Sequence, residues 1–232
     1  MLNNFVKFLN DKNYQERELL KILNSFSRKI KVLDVGCGYG RNIKLLNKNK
    51  FNNIVGIEVN EEILKKNRKN GLLCYTPDDF LNNFKREEFD VILMSHIIEH
   101  FSYNDLKFFL DKYLEFLKKD GRLIIVTPLM TKFFYKDFDH VKPYDPLGLS
   151  KFFSHDSQLQ FYSKYQMKLE NLYFRKSPYK LKNFRSLYIK KNSISIVNKI
   201  PGFINIILAI FFRLTGGAIG YISGWIGEFK RD

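Results

Sequence analysis

The sequence contains few of the residues that stabilise small secreted domains. Cys37 and Cys74 are the only cysteines among 232 residues, too few for a disulfide scaffold or for a zinc site built from cysteines. Residues 1–10 have no continuous apolar core, so we expect no cleavable signal there. Both absences favour a protein that works in the reducing cytoplasm.

The sequence also lacks the amino-acid composition that is typical of a disordered chain. Hydrophobic residues make up 45% of it and charged residues 27%, which is a globular balance. A chain of this length can bury roughly 70% of the surface that it exposes when unfolded. One α/β domain therefore fits the chain, and two full domains do not.

Acidic side chains are scarce relative to basic ones. The chain has 39 basic and 24 acidic residues, a net charge of +15. Residues 164–232 hold 13 basic and 3 acidic side chains, whereas residues 1–163 hold 26 and 21. Because the basic C-terminal third is also the most apolar part, the charge favours an anionic membrane surface at least as strongly as a nucleic acid. We recognise no RNA-binding domain, so nucleic acid is the weaker interpretation.

Short apolar segments alternate with helical patterns over residues 30–128. The segments predicted as strands cover residues 30–35, 54–59, 72–75, 89–95 and 122–127. Right-handed crossovers between such strands give a mostly parallel sheet with helices on both faces. We therefore expect a site at the carboxyl ends of these strands.

A glycine-rich turn, residues 36–40, follows the first predicted strand, and Asp34 stands two positions before it. A dinucleotide fingerprint would need glycine at the next position, which is Arg41. Residues 32–40 instead resemble motif I of the class I S-adenosylmethionine-dependent methyltransferases. The resemblance implies S-adenosylmethionine as the cofactor. It assigns to the cofactor loop the residues Asp34, Gly36, Cys37, Gly38 and Gly40.

Three further residues match cofactor-binding positions of this family. Glu58 ends the second predicted strand, where the family has an acid that holds the ribose through two hydrogen bonds. Asp79 follows the third strand, near the family's adenine contact, although a solvated turn after Pro77 is an equal alternative. Ser95 ends the fourth strand, which resembles motif IV and faces the methionine part of the cofactor.

The resemblance also implies the fold and the domain organisation. We expect a Rossmann-like α/β fold with a mostly parallel seven-stranded sheet, helices on both faces and a hydrophobic helical C-terminal extension. The last two strands are predicted at residues 169–175 and 185–190. The expected boundaries are 1–29 for an N-terminal helical cap, 30–192 for the cofactor-binding domain and 193–232 for the extension.

One string near the fourth strand resembles a metal site. His96, Glu99 and His100 form the H-x-x-E-H pattern of an inverted zinc protease. Such a site needs both histidines on one helix face and a distant third ligand, whereas these residues leave a buried strand. A Glu-His pair is also common after motif IV in methyltransferases, so we expect no metal.

Two histidines are candidates for catalysis. His100 follows motif IV, and His140 lies in a segment similar to a His-Val-Arg-aromatic segment of bacterial methyltransferases that act on sugars and surface glycans. Here Lys142 replaces the arginine and Pro143 is interposed. Either imidazole could take the proton of an acceptor hydroxyl or orient the acceptor. A capping or packing role is the alternative.

The C-terminal extension is apolar over residues 203–212 apart from Asn205. Glycines then recur every fourth position, at 216, 220 and 224, which predicts a flat helix face of the kind that packs in membranes. Arg213 and a Gly-Gly pair argue against a full span, so we expect a monotopic or re-entrant helix pair. A hydrophobic lid or a dimer interface is the alternative. The basic residues expected to meet anionic headgroups are Lys190, Lys191, Lys199, Lys230 and Arg231.

Together these features predict a cytoplasmic enzyme, peripheral on the inner face of the cytoplasmic membrane, that O-methylates a sugar. The acceptor is a bacterial surface glycan or its lipid-linked or nucleotide-linked precursor. One alternative is a methyltransferase of quinone biosynthesis, because ubiquinone O-methyltransferases share the Glu-His pair. Another is a non-catalytic module recruited to the membrane, which the intact Gly36 and Glu58 argue against. The sequence leaves open whether the protein forms a homodimer.

Overall fold

The computed structural model describes residues 13–131, 134–156, 158–181 and 200–232. The chain divides into two compact units. The larger unit comprises Glu16–Phe174 with Gly224–Asp232, and the smaller one Met1–Gln15 with Arg175–Ser223. All of the candidate site residues belong to the larger unit.

Helices and strands alternate along the chain. The helices are α1 Asn13–Leu23, α2 Arg41–Lys48, α3 Glu61–Lys69, α4 Pro77–Asn83, α5 Tyr103–Leu114, α6 Pro146–Phe153 and α7 Ile200–Leu214. The strands are β1 Val32–Val35, β2 Ile54–Ile57, β3 Cys74–Tyr75, β4 Phe89–Ser95, β5 Leu117–Pro128, β6 Met167–Ser177 and β7 Tyr221–Arg231. Single turns of 3-10 helix span Ile98–His100 and Phe134–Lys136.

The strands form one seven-stranded sheet in the order β3-β2-β1-β4-β5-β7-β6. The strands from β3 to β5 pair in parallel, and β7 runs antiparallel to β5. The predicted Rossmann-like fold with a mostly parallel sheet is therefore confirmed. Its parallel part aligns the carboxyl ends of β1, β2 and β4 at one edge.

Alternating apolar side chains of the strands build a core on each face of the sheet. Leu33 of β1 packs in a cluster that includes residues of α5 and α6. Val32, the preceding residue, packs in a second cluster with residues of α1, α2 and α3. Neighbouring residues of a strand point to opposite faces, so two helical layers are needed to bury a strand that is apolar throughout.

The end of the chain differs from the predicted helix pair. Helix α7 ends at Leu214, where Gly216 and Gly217 adopt left-handed backbone angles with φ of 59° and 87°, a conformation that glycine takes at little cost and that stops a helix. Strand β7 follows and pairs with β5 from Gly224 to Lys230. The predicted flat helix face is therefore wrong, because two of its three glycines lie in the turn and one in a strand.

Strand β7 also explains why the C-terminus is apolar. Trp225, Ile226 and Phe229 are buried in the larger unit, so these residues form sheet core, whereas the prediction assigned 193–232 to an extension. The predicted strand at 185–190 lies outside the described residues. Lys230 pairs with Asp120 at 2.7 Å and Arg231 with Glu87 at 2.9 Å, so both cations have carboxylate partners within the unit. Among the described helices, none is long and apolar enough to cross a membrane.

Candidate functional site

The glycine turn between β1 and α2 is built on left-handed backbone. The backbone angle φ is 70° at Gly36, 50° at Gly38 and 69° at Gly40. L-amino acids rarely adopt such positive angles. A Cβ at Gly36 would lie 2.3 Å from Cδ1 of Ile97, whereas a Cβ at Gly38 would meet nothing within 4 Å. The turn therefore touches the segment after β4 at Gly36 and faces open space at Gly38.

A buried carboxylate holds the middle of this turn. Glu58 follows β2 and is buried, and its Oε2 accepts a hydrogen bond from the backbone N–H of Gly38 at 2.9 Å. Its Oε1 accepts from the backbone N–H of Asn60 at 2.8 Å. From the other side, Nδ2 of Asn67 donates to the carbonyl oxygen of Gly38 at 2.7 Å. The Gly38 peptide is thus fixed through both of its polar groups.

Asn67 is a site residue that sequence reasoning missed. It is buried in α3, and its Oδ1 has no hydrogen-bond partner among the described residues. The signal was an asparagine on the buried face of a helix otherwise rich in lysine and glutamate. A buried amide is costly unless it is bonded, and here it supports the glycine turn.

Asp34 lies beneath the turn with its carboxylate fully buried. Oδ1 accepts a hydrogen bond from Nδ2 of Asn42 at 3.3 Å, and Oδ2 has no partner among the described residues. Burial raises the pKa of Asp34 to about 7, with the Asn42 bond acting against the rise and the Glu58 charge adding to it. Oδ2 of Asp34, buried near the end of a central strand, can therefore accept a hydrogen bond from a ligand.

Cys37 belongs to the turn through its backbone, and its Sγ also lies 3.8 Å from the carbonyl oxygen of Gly38 and 3.8 Å from Nδ2 of Asn67. Its N–H bonds to the carbonyl oxygen of Ile57 at 2.9 Å, and its buried Sγ lies 3.8 Å from Sγ of Cys74. The contact with Cys74 and then burial raise the pKa of the Cys37 thiol. A Cβ at Gly56 would approach both sulfurs within 2.9 Å, so the pair fills the space that this glycine leaves open. The side chain of Cys37 faces the core.

The other two predicted cofactor residues lie at the ends of β3 and β4. Asp79 is exposed in the first turn of α4, where its N–H bonds to Oγ1 of the helix-capping Thr76 at 3.1 Å. Its carboxylate lies 3.5 Å from Nη2 of Arg68. Ser95 is half-buried at the end of β4, and His96 after it takes a φ of 57° that turns the chain. Their predicted cofactor contacts stay predictions.

The structure brings the two predicted catalytic histidines together. The rings of His100 and His140 pack edge to face with their centroids 5.1 Å apart. Nδ1 of His100 lies 3.0 Å from the carbonyl oxygen of Asp139, and Nδ1 of His140 lies 2.8 Å from that of Phe134. Since a carbonyl only accepts, these contacts indicate a proton on each Nδ1, and in the neutral form of each imidazole Nε2 then carries the lone pair.

Glu99 anchors this histidine pair. Its backbone carbonyl accepts hydrogen bonds from the N–H groups of Val141 at 2.9 Å and Lys142 at 3.2 Å, which ties the His140 segment to the end of β4. Its buried side chain accepts from Oγ1 of Thr127 at 2.9 Å through Oε2. Sequence reasoning used Glu99 only in the H-x-x-E-H string and in the Glu-His pair after motif IV, because a contact with residues some forty positions later is not visible in a local pattern.

The Glu99 carboxylate is charged in the interior. Burial by itself raises its pKa, but His96, whose Nδ1 lies 3.2 Å from Oε1, and the Thr127 hydroxyl lower it below its usual value. Ligand atoms of Glu99, His100 and His140 all lie within 4.8 Å of one another. We call these three residues the histidine–glutamate cluster.

The comparisons with known proteins give one family model that matches most of the chain and solved structures that share its fold. A family model described as a methyltransferase domain matches residues 10–175, and among curated proteins none matches the sequence. A solved S-adenosylmethionine-dependent methyltransferase from Archaeoglobus fulgidus is similar at 20% identity and a TM-score of 0.62, over 100% of this chain and 99% of that one. A putative methyltransferase from Bacillus halodurans is similar at 18% identity and a TM-score of 0.61, over 93% and 97%.

Proposed function

This chain belongs to the class I S-adenosylmethionine-dependent methyltransferases, and we propose that its acceptor is a sugar hydroxyl, in a surface glycan or in a lipid-linked or nucleotide-linked precursor. The observation that carries the acceptor proposal is the approach of His140 to His100, with ring centroids 5.1 Å apart. The segment that resembles sugar methyltransferases thus meets the Glu-His pair after β4 at one site.

The residues around the glycine turn fit the cofactor, which when bound supplies a methyl group on a sulfonium sulfur. Each carboxylate oxygen of Glu58 accepts one backbone hydrogen bond and keeps a further lone pair, so it can also accept from ribose hydroxyls. The unpaired buried Oδ2 of Asp34 offers an acceptor to a donor group of the cofactor. The open space at Gly38 admits a ligand close to the backbone.

We assign the activation of the acceptor hydroxyl to His100 and His140. Methyl transfer depends on holding donor and acceptor in line, and an oxygen acceptor of high pKa also gains from losing its proton. Both imidazoles are half-buried and oriented through Nδ1, so their Nε2 atoms are the groups left to act. The cluster lies beside the cofactor turn, because Ile97 packs against Gly36.

An apolar stripe on α7 supports a lipid-linked form of the acceptor. Phe203, Ile207, Phe211 and Leu214 follow one another at spacings of four, four and three residues, which aligns them on one helix face. All four are exposed, Leu214 to 77% of its surface. An exposed apolar helix face can be buried in the interface of a bilayer, so we propose that the enzyme works on the membrane surface.

Acceptor classes can be separated with methyl-labelled S-adenosylmethionine. The full chain is incubated with a nucleotide-linked sugar, a polyprenyl-linked sugar or a hydroxylated quinone precursor, and labelled products are separated. We expect label on a sugar. Glu58→Ala serves as the control, since losing a charged hydrogen-bond partner weakens cofactor binding by about 1–3 kcal/mol. Label on the quinone precursor alone would contradict the proposal and favour the quinone pathway.

Membrane association is tested by sedimentation with phosphatidylglycerol vesicles. We expect the full chain to pellet with the vesicles and the double variant Phe203→Ser and Phe211→Ser to stay in the supernatant, because it loses apolar area without disturbing buried residues. If the native chain stays in the supernatant, or if the variant pellets equally well, the stripe is not a membrane element.

A further inference from the structure

The histidine–glutamate cluster has the composition of a metal site, and the sequence-based expectation was that no metal is bound. We propose that Glu99, His100 and His140 together bind one divalent transition-metal ion. Only the function of the ion rests on the proposed sugar methylation; its binding does not. In the proposed site the second histidine ligand is His140, which lies outside the H-x-x-E-H string, and not His96.

The distances support a shared ion. The three ligand atoms lie within 4.8 Å of one another. Metal–ligand bonds of about 2.0–2.2 Å in a tetrahedral arrangement separate ligand atoms by about 3.3–3.6 Å. Side-chain adjustments of about 1 Å therefore bring the cluster to coordination distance.

The histidines already have the orientation of metal ligands. In protein metal sites a ligating histidine donates its other ring N–H to a backbone carbonyl or carboxylate, which fixes the tautomer. His100 and His140 both have a carbonyl oxygen beside Nδ1, at 3.0 and 2.8 Å, so Nε2 is the ligating atom in each. Nε2 of His140 also lies 3.7 Å from Oδ2 of Asp137, a carboxylate that could join the coordination sphere.

The Glu99 carboxylate supplies an anionic ligand, and the neighbouring His96 is a counter-charge to it only when protonated. Glu99 is fully buried, and while Oε2 accepts from Thr127, Oε1 makes no hydrogen bond of good geometry among the described residues, although Nδ1 of His96 lies 3.2 Å from it. A buried, incompletely bonded carboxylate is costly. A cation bound at this oxygen would offset that cost.

Backbone hydrogen bonds connect the two segments that carry the proposed ligands. The backbone bonds from Val141 and Lys142 to the carbonyl of Glu99 fix the distance between the two ligand-bearing segments. Two nitrogens and one oxygen suit zinc, manganese, iron or cobalt better than calcium or magnesium, which prefer oxygen ligands alone. Three protein ligands also leave coordination positions open.

An ion in this place refines the proposed function. Its open positions could hold two neighbouring oxygens of the acceptor, and a cation lowers the pKa of an oxygen bound to it. With both Nε2 atoms on the ion, neither imidazole would take the proton directly, so the proton of the bound hydroxyl would pass to solvent water. The oxygen would then receive the methyl group as the bond from that group to the sulfonium sulfur breaks, leaving a neutral thioether. The favoured acceptor is therefore a sugar that presents adjacent hydroxyls.

The binding is tested by titrating the full chain with Mn²⁺ and following the free ion by electron paramagnetic resonance, without cofactor or acceptor. We expect one site per chain, and an affinity at least tenfold weaker in His100→Ala and in His140→Ala. The matched control is His155→Ala, which removes a histidine bonded to the carbonyl of Ser163 at 2.8 Å outside the cluster, and which should bind normally. Circular dichroism verifies that each variant is folded.

Two outcomes overturn the proposal: no saturable Mn²⁺ site in the native chain, or an affinity unchanged in both cluster variants. The visible absorption of bound Co²⁺ gives a second readout, because its bands report nitrogen and oxygen ligands and should be lost in the same two variants. If metal binds as expected but no sugar is methylated, the metal site stands and the proposed acceptor fails. If a sugar is methylated and no metal binds, the proposed acceptor stands and the metal site fails.

Discussion

The glycine turn and the histidine–glutamate cluster lie at the same edge of the sheet, yet they are assembled in different ways. The turn is formed by consecutive residues, 36–40, whose conformation is local, with φ between 50° and 70° at three glycines. The cluster joins Glu99 and His100 to His140 across some forty residues, through backbone bonds to the carbonyl of Glu99. The difference indicates that the backbone conformation of the glycine turn is encoded locally, whereas the histidine–glutamate cluster depends on a long-range contact.

The largest expected effect falls on the cluster. His140→Ala should lower turnover by roughly 10²–10⁴-fold, the usual range for losing activation of the acceptor hydroxyl, whether His140 takes its proton or binds an ion that lowers its pKa. It should leave cofactor affinity nearly unchanged, because His140 is not part of the turn. Steady-state kinetics and calorimetric binding of S-adenosylmethionine measure the two quantities separately. A variant with weakened cofactor binding and normal turnover would mean that the two regions are not distinct.

The next effect concerns the buried acid under the turn. Asp34 has a folded-state pKa of about 7 against an ordinary value of 3.8, so between these pH values the folded state holds a proton that the unfolded state has released. The free energy of unfolding therefore falls as pH rises from about 4 to 7, and the cost is fully present above pH 7. Asp34→Asn removes this cost.

We expect the cofactor-free Asp34→Asn variant to be about 2–4 kcal/mol more stable than the native chain at pH 8, and nearly equal to it at pH 4. Urea unfolding at both pH values measures the difference, and comparing the two proteins cancels the titration of all other groups. A stability difference independent of pH would contradict a protonation linked to Asp34. Asp34→Asn should also weaken cofactor binding, because it changes the carboxylate whose Oδ2 is proposed to accept a hydrogen bond from the cofactor.

The smallest effects distinguish two glycines of the turn. Gly36→Ala combines a positive φ with a Cβ 2.3 Å from Cδ1 of Ile97, so it should destabilise the fold by more than the roughly 1 kcal/mol typical of backbone strain alone. Gly38→Ala has the same strain but open space around its Cβ, so it should cost about 1 kcal/mol. Thermal unfolding measures both.

Ile97 provides the control for this pair. Ile97→Val removes Cδ1 and should recover part of the stability that Gly36→Ala loses, whereas it should not help Gly38→Ala. Equal losses for the two glycine variants, or no recovery, would mean that the turn does not pack against the segment after β4. The contact that links the two regions would then be absent.

The fold and the cofactor turn were predictable because their signals are local. An apolar strand followed by an acid and alternating glycines fixes a strand–turn–helix unit within about ten residues, and repeating such units gives the parallel sheet. Strand β7 was missed for the opposite reason. Its partner residues in β5 lie about a hundred positions earlier, and an apolar segment with glycines has the same pattern in a membrane helix as in a buried strand.

The amino-acid sequence alone was enough to predict the family, the strands up to β5 and the glycine turn after β1. Only the tertiary structure decided that His140 meets Glu99 and His100, that Asn67 fixes the Gly38 peptide, and that the C-terminal residues complete the sheet. The physical reason is that backbone conformation and hydrophobic period are properties of neighbouring residues. The proximity of distant side chains is set by packing and by hydrogen bonds that form only once the chain has folded.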